Sequence, residues 1–197
     1  MSSLRDPLRR TFMTALTALP LSGIASSSGA GGELRGVGSR GLVAYFSRSG
    51  NTRVVAGLIH RALHADLCEI RPATPYPEDY LETVEEARQE RDSGRERSLE
   101  TKVSNVSDYD TVFLGFPIWG ETTPPIIRAF LSGHDLSDKT LIPFVTHGGY
   151  GLGNSNSVLA SHAPKAQLHA GFVMEADQER RTMDQVNHWL NGIKTKT

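Results

Sequence analysis

Gly41-Leu-Val-Ala-Tyr-Phe-Ser-Arg-Ser-Gly-Asn-Thr-Arg53 decides how the rest of the chain is read. Leu42 to Phe46 form an apolar run of the length expected for a buried strand. Ser47-Arg48-Ser49-Gly50-Asn51-Thr52 then supply hydroxyls, an amide and a glycine ahead of a helical stretch. A strand that feeds such a loop into a helix N-terminus brings unpaired backbone N–H groups and the positive end of the helix dipole to one place. The stretch therefore predicts an anion site at the carboxyl end of a strand.

Working outward, the strand over 41–47 is followed by a helix from Thr52 to Ala65, with Val55, Leu58, Ile59 and Leu63 at helical spacing. Leu67-Cys68-Glu69-Ile70 reads as a short second strand. Pro72 to Pro77 is turn-rich and leads into a helix over Glu78–Arg91, where Leu81, Val84 and Ala87 mark an apolar stripe beneath a heavily charged surface. Thr111 to Phe116 is a continuous apolar run, the pattern of a strand covered on both faces. Pro117-Ile-Trp-Gly-Glu-Thr-Thr123 breaks it. Pro124 and Pro125 suit a first helical turn, and Gly133 stops the helix that follows. Leu141 to Thr146 is the fourth strand, and a Gly/Asn/Ser loop spans His147–Ser157. Val158 to His162 predicts a short helix and Leu168 to Met174 a fifth strand. Asp177 to Ile193 closes the chain as an amphipathic helix with Met183, Val186, Trp189, Leu190 and Ile193 inward. Strands alternating with helices predict an α/β fold, a parallel sheet with helices on both faces.

A length of 197 residues suits one domain with a proper core. The net charge of -1 points to no nucleic-acid partner. Cys68 is the only cysteine, which excludes an intrachain disulfide and a cysteine metal cluster. It reads as a small core residue. His60 and His64 lie four apart on a helix, but no carboxylate or thiol completes a metal site, so they read as a solvated face. No G-x-x-x-x-G-K-[ST] or G-x-S-x-G occurs, which weighs against a P-loop nucleotidase and a hydrolase.

Residues 1–30 differ from the rest. Arg5, Arg9 and Arg10 precede a mildly apolar stretch, Met13 to Ile24, too short and polar to span a bilayer. Ser28-Gly29-Ala30 follows as a cleavage site, in the order expected of an export signal. Arg9-Arg-Thr-Phe-Met13 resembles a twin-arginine signal, which implies a periplasmic or exported protein with no stable membrane anchor once the signal is removed. The bland alternative is a tail with an accidental Arg pair on a cytoplasmic protein. Residues 31–40 read as a linker and 41–197 as the domain.

In a parallel sheet of this kind, ligands bind beyond the carboxyl ends of the strands. Three polar, glycine-rich or aromatic loops converge there: 47–52, 117–123 and 146–154. The first takes an anion, and Trp119 and Tyr150 offer rings that could lie flat on a planar ligand. Tyr45-Phe-Ser-Arg-Ser-Gly-Asn-Thr52 resembles the phosphate loop of the flavodoxin family. Tyr76-Pro-Glu-Asp-Tyr80, Leu114-Gly-Phe-Pro-Ile-Trp-Gly120 and Phe144-Val-Thr-His-Gly-Gly-Tyr-Gly151 extend the likeness, in order, over residues 41–193. The resemblance implies a flavodoxin-like three-layer α/β/α sandwich of the short-chain type. Its sheet would be five-stranded and parallel, in order 2-1-3-4-5, with FMN at the switch between the first and third strands.

By the same likeness, Ser47, Ser49, Gly50, Asn51 and Thr52 would bind phosphate, with Arg48 at the variable position. Pro117, Ile118, Trp119 and Gly120 would border the isoalloxazine, and Thr146, Gly148, Gly149 and Tyr150 would line its pyrimidine side. No catalytic acid or base and no metal is then required, since the redox chemistry belongs to the flavin. The implied role is electron transfer with a redox partner protein or a small-molecule acceptor. The chain is less acidic than carrier flavodoxins, which leaves open an FMN-dependent NAD(P)H:quinone or nitro-compound reductase. A flavin-free signalling module such as a receiver domain is the third reading, disfavoured because Ser47 stands where receivers carry acidic residues.

Overall fold

The computed structural model describes residues 40–175 and 179–194. The expectations for the export segment and for linker residues 31–39 lie outside them. So does the side-chain placement of Met183.

The strands are β1 (Gly41–Tyr45), β2 (Asp66–Glu69), β3 (Thr111–Pro117), β4 (Thr140–His147), β5 (Gln167–Leu168) and β6 (Phe172–Glu175). The helices are α1 (Asn51–Leu63), α2 (Tyr80–Ser93), α3 (Pro125–Gly133), α4 (Ser155–His162) and α5 (Glu179–Lys194). All strand pairings are parallel, in the order β2-β1-β3-β4-β5, and β6 also pairs with β4. This is the predicted 2-1-3-4-5 sheet, its fifth position filled by two short strands in place of one. Because side chains alternate along a strand, β1 sends Leu42 and Ala44 to one face and Val43 and Tyr45 to the other. Ile126, Ile127 and Phe130 of α3 pack in the first cluster. Val55 and Ile59 of α1, with Val186 and Leu190 of α5, pack in the second.

The break in the fifth strand has a cause in β4. Leu141 O accepts from His169 N at 2.9 Å, so residues 141, 143 and 145 turn their backbone groups toward that edge. The next donor on that side belongs to Pro143, which has no N–H. Between the pairs Leu141↔Leu168 and Phe144↔Phe172, two residues of β4 face three of the partner, the count of a bulge. Gly171 sits at its end. A Cβ there would fall 2.0 Å from Pro143 O, so only glycine lets the backbones approach.

Two other sequence expectations change. α4 begins at Ser155, inside the stretch read as loop. The stripe on α2 does not face the core: Leu81 is 73% and Val84 46% exposed, whereas Thr83 and Glu90 are buried. The buried side of α2 is polar because it holds the connections on either side of the helix. Arg97, itself buried, donates from Nη1 to Glu90 Oε1 and Glu86 Oε1, both at 2.9 Å, and from Nε to Thr74 O at 3.0 Å. Its guanidinium carbon lies 3.9 Å from the Tyr76 ring centroid. Tyr76 completes the cluster by donating its hydroxyl to Glu90 Oε2 at 3.0 Å. Burial, with the Glu90 carboxylate next to it, pushes the Tyr76 phenol well above its ordinary pKa. Asp79 caps α2 by accepting from Glu82 N at 2.9 Å.

Removing one partner of a buried ion pair leaves the other charge stranded. Arg97→Met should therefore destabilise the fold by about 3–5 kcal/mol, read from the denaturant midpoint. Glu90→Gln, which keeps an oxygen acceptor for Arg97 and turns an amide donor toward the Tyr76 hydroxyl, should cost clearly less. A second prediction concerns His134, which follows α3. Its Nδ1 donates to Phe130 O (2.7 Å) while Nε2 accepts from Val103 N (3.0 Å), a neutral ring held at both nitrogens. Burial lowers its pKa below the ordinary 6.5. The unfolded chain then binds more protons, so this contribution is complete above pH 6.5 and is lost as pH falls through the folded-state value. His134→Gln should flatten that part of the stability–pH curve.

Candidate functional site

The switch in strand order lies between β1 and β3, and the loops that leave the carboxyl ends of β1, β3 and β4 meet there around a cleft of about 410 Å³. The first loop turns through Gly50, whose φ of 97° is left-handed and which precedes α1 as its N-cap. Ser47 Oγ holds the turn by accepting from Gly50 N at 3.1 Å. The first helical bond runs from Val54 N to Gly50 O, so the N–H groups of Asn51, Thr52 and Arg53 have no partner within the helix. No side chain caps this end and no acidic residue lies in its first turn. Arg48 turns away from the loop: it donates to Glu78 O at 2.7 Å and lies 5.8 Å from the Tyr80 ring centroid.

The second loop is a tight turn. Trp119 N donates to Thr122 O at 3.1 Å and Thr122 N to Trp119 O at 3.3 Å. Gly120 and Glu121 between them have φ of 55° and 64°, the pattern of a type I′ turn. Trp119 is edge-on to Tyr76 (4.8 Å between centroids) and to Phe46 (5.3 Å). Tyr76 is in turn fixed by Glu90 and Arg97, so the buried ion pair sets the Trp119 ring at one remove. The third loop is tied to the second by Asn154 N donating to Glu121 O at 3.1 Å. Gly153 has φ of 51°, and a Cβ on it would lie 1.9 Å from Glu121 O, so this contact also requires glycine. Gly149 N donates to His147 Nδ1 at 3.0 Å, and Tyr150 stands 72% exposed at the cleft mouth. A buried bond of 2.8 Å between the hydroxyls of Thr52 and Thr146 links the first and third loops.

Of the residues singled out from the sequence, Arg48, Ser49 and Asn51 line the cleft at one end. Pro117, Ile118, Trp119 and Gly120, with Thr146, Gly148 and Tyr150, line the remainder. Ser47, Gly50, Thr52 and Gly149 shape the loops from behind. The sequence reading missed one wall, formed by Tyr80, Thr83, Val84, Ala87, Arg88 and Arg91 of α2. Its signal is present, since Tyr80, Val84, Ala87 and Arg91 recur at helical spacing, but Val84 and Ala87 read equally well with Leu81 as a stripe beneath the charged surface. His60 makes a hydrogen bond with Ala65 O at 2.6 Å, and among the described residues no three metal-ligating side chains group to hold an ion. Cys68 is half-buried, and burial pushes its thiol pKa up. No helix among the described residues is long and apolar enough to cross a membrane.

A search of curated proteins returned no significant match. Among solved structures, the chain is similar to a flavoprotein from Bacteroides eggerthii at 34% identity, covering 79% of this chain and 98% of that one, with a TM-score of 0.68. More distant is a flavoprotein from Lactobacillus acidophilus solved in complex with FMN, at 20% identity with a TM-score of 0.58, covering 74% and 98% of the two chains. Oxidised flavodoxin 2 from Bacillus cereus shares 19% identity with a TM-score of 0.52, covering 81% of this chain and all of that one. The model of the flavodoxin family matches residues 40–193, nearly the whole of the described domain. With its sheet order and the loops that meet at the switch point, the chain belongs to the flavodoxin family.

Proposed function

We propose that the protein binds FMN non-covalently and transfers electrons through it. The observation that carries this reading is the bare N-terminus of α1, uncapped and free of acidic residues, opening on the cleft that Trp119 and Tyr150 also line. An anion at one end and a planar ring between aromatic walls is the demand an FMN molecule makes of its site. The donors, the ring-bearing loops and the cleft fit that group, and the FMN complex of the Lactobacillus flavoprotein supports the assignment.

In this reading Ser49 and Asn51 bind phosphate together with the first N–H groups of α1. Ser47 and Gly50 keep the turn in shape, and Thr52 secures it to Thr146. Pro117 to Gly120 would border the isoalloxazine, with the backbone near Gly120 available to hydrogen-bond it. Thr146, Gly148 and Tyr150 would line the pyrimidine side, with Gly149 shaping their loop from behind. Bound FMN supplies reversible one- and two-electron chemistry. The chain contributes position, a partly apolar surrounding and hydrogen bonds. Electrons pass to a redox partner protein or a small-molecule acceptor. Residues 1–30 act as a twin-arginine-type signal for a protein that leaves the cytoplasm already folded and loaded.

Purified protein should be yellow or take up one FMN per chain with a perturbed flavin spectrum. Gly50→Val, which places a bulky side chain on a left-handed backbone, and Thr52→Val, which removes the bond to Thr146, should each weaken FMN binding by about tenfold or more. Unchanged affinity in both variants would put the phosphate elsewhere. For the signal, replacing Arg9 and Arg10 with lysine should leave the protein in the cytoplasm of a twin-arginine-competent host, and export at the wild-type level would refute that assignment.

A further inference from the structure

None of the residues assigned to the flavin above lies on the α2 wall. Tyr80, Val84, Ala87 and Arg91 share one face of the helix and all line the cleft. Tyr80 is 66% and Val84 46% exposed, a strip of apolar surface open to the cleft on a helix otherwise covered with charge. At its end stands Arg91. Its Nε donates to Asp92 Oδ1 at 3.0 Å, while Nη1 and Nη2 have no hydrogen-bond partner among the described residues. A Cβ built on Gly120 would come within 2.5 Å of Nη1, so the guanidinium rests on the turn that carries Trp119. The other two arginines of the cleft are engaged. Arg48 is bound to Glu78 O and Tyr80, and Arg88 lies between Glu85 at 2.7 Å and Asp92 at 3.2 Å.

We propose that this strip is the subsite for a planar acceptor of the quinone class that bears an acidic substituent, with Arg91 as the residue that reads the anion. The inference rests on the flavin reading above. The ring lies along Tyr80, Val84 and Ala87, and the carboxylate or sulfonate accepts from the Nη atoms of Arg91, a planar fork suited to a two-oxygen acceptor. The acceptor would take two electrons from flavin already reduced by a hydride donor of the reduced-nicotinamide class. It gains a proton at each carbonyl oxygen and leaves as the hydroquinone, and the flavin returns to its oxidised form with loss of the protons it took up on reduction.

The full-length, FMN-loaded protein is titrated with anthraquinone-2-sulfonate and with the uncharged anthraquinone-2-sulfonamide. Binding is followed by flavin absorbance and by calorimetry, and reoxidation of the reduced protein by stopped flow. Wild type should bind the sulfonate about five- to tenfold more tightly than the sulfonamide, as expected for one partly exposed charged contact. The preference should shrink at high salt. Arg91→Gln should bring the ratio of affinities close to one, and Arg91→Lys should restore part of it. Val84→Glu leaves Arg91 in place but adds a negative charge to an exposed position on the strip, and should reverse the preference. Equal binding of the two quinones by FMN-loaded wild type, or an unchanged ratio in Arg91→Gln and Val84→Glu, overturns the subsite alone. Wild type that does not hold FMN overturns the flavin reading, and the subsite with it.

Discussion

The bond between the hydroxyls of Thr52 and Thr146 is the constraint on which the site's geometry depends. Both side chains are almost wholly buried, where an unpaired hydroxyl would be costly. Pairing them holds the first turn of α1 against the end of β4, and β3 is fixed between β1 and β4 by ladders on both of its edges. The α1 end and the Trp119 end of the cleft thus stand at a set separation before any ligand arrives. A rigid scaffold under irregular loops is what binding without reorganisation requires.

A second buried polar cluster does for α2 what the Thr pair does for α1. Glu90, Arg97 and Tyr76 join the connection before α2, the helix itself and the segment after it. An apolar seam would bury more surface, but a guanidinium bound at four acceptors, Pro75 O among them, fixes direction as well as distance. Direction matters here because the Tyr76 ring meets Trp119. The cluster therefore orients a cleft residue through side chains that do not themselves line the cleft.

Much of this was legible in the sequence, because the signals were local. The apolar runs at 42–46 and 111–116, the helical spacing over 52–63 and the polar loops between them needed no partner to be recognised. Strand order and the convergence of three loops followed from alternation and family likeness. The errors came where the answer lay in another segment. Leu81, Val84 and Ala87 have the spacing of a core stripe, but which side of α2 is inside was decided by Arg97, beyond the helix, which needed a buried carboxylate at Glu90. The split of the fifth strand was decided in β4, where Pro143 withholds an N–H. A single strand's pattern shows its faces and says nothing about the donors of its neighbour.

The placement of charge on α2 also bears on what the cleft recognises. A protein carrier that finds its partner by electrostatic steering needs a field that extends beyond a Debye length, roughly 10 Å. On α2 the two arginines are held in short pairs, Arg88 by Glu85 and Asp92, and Arg91 by Asp92, and the helix as a whole is acidic, five carboxylates against two guanidinium groups. The chain as a whole carries a net charge of only -1. Discrimination at close range falls to contacts within the cleft, where Tyr80 and Val84 are bare and the Nη atoms of Arg91 have no protein partner among the described residues.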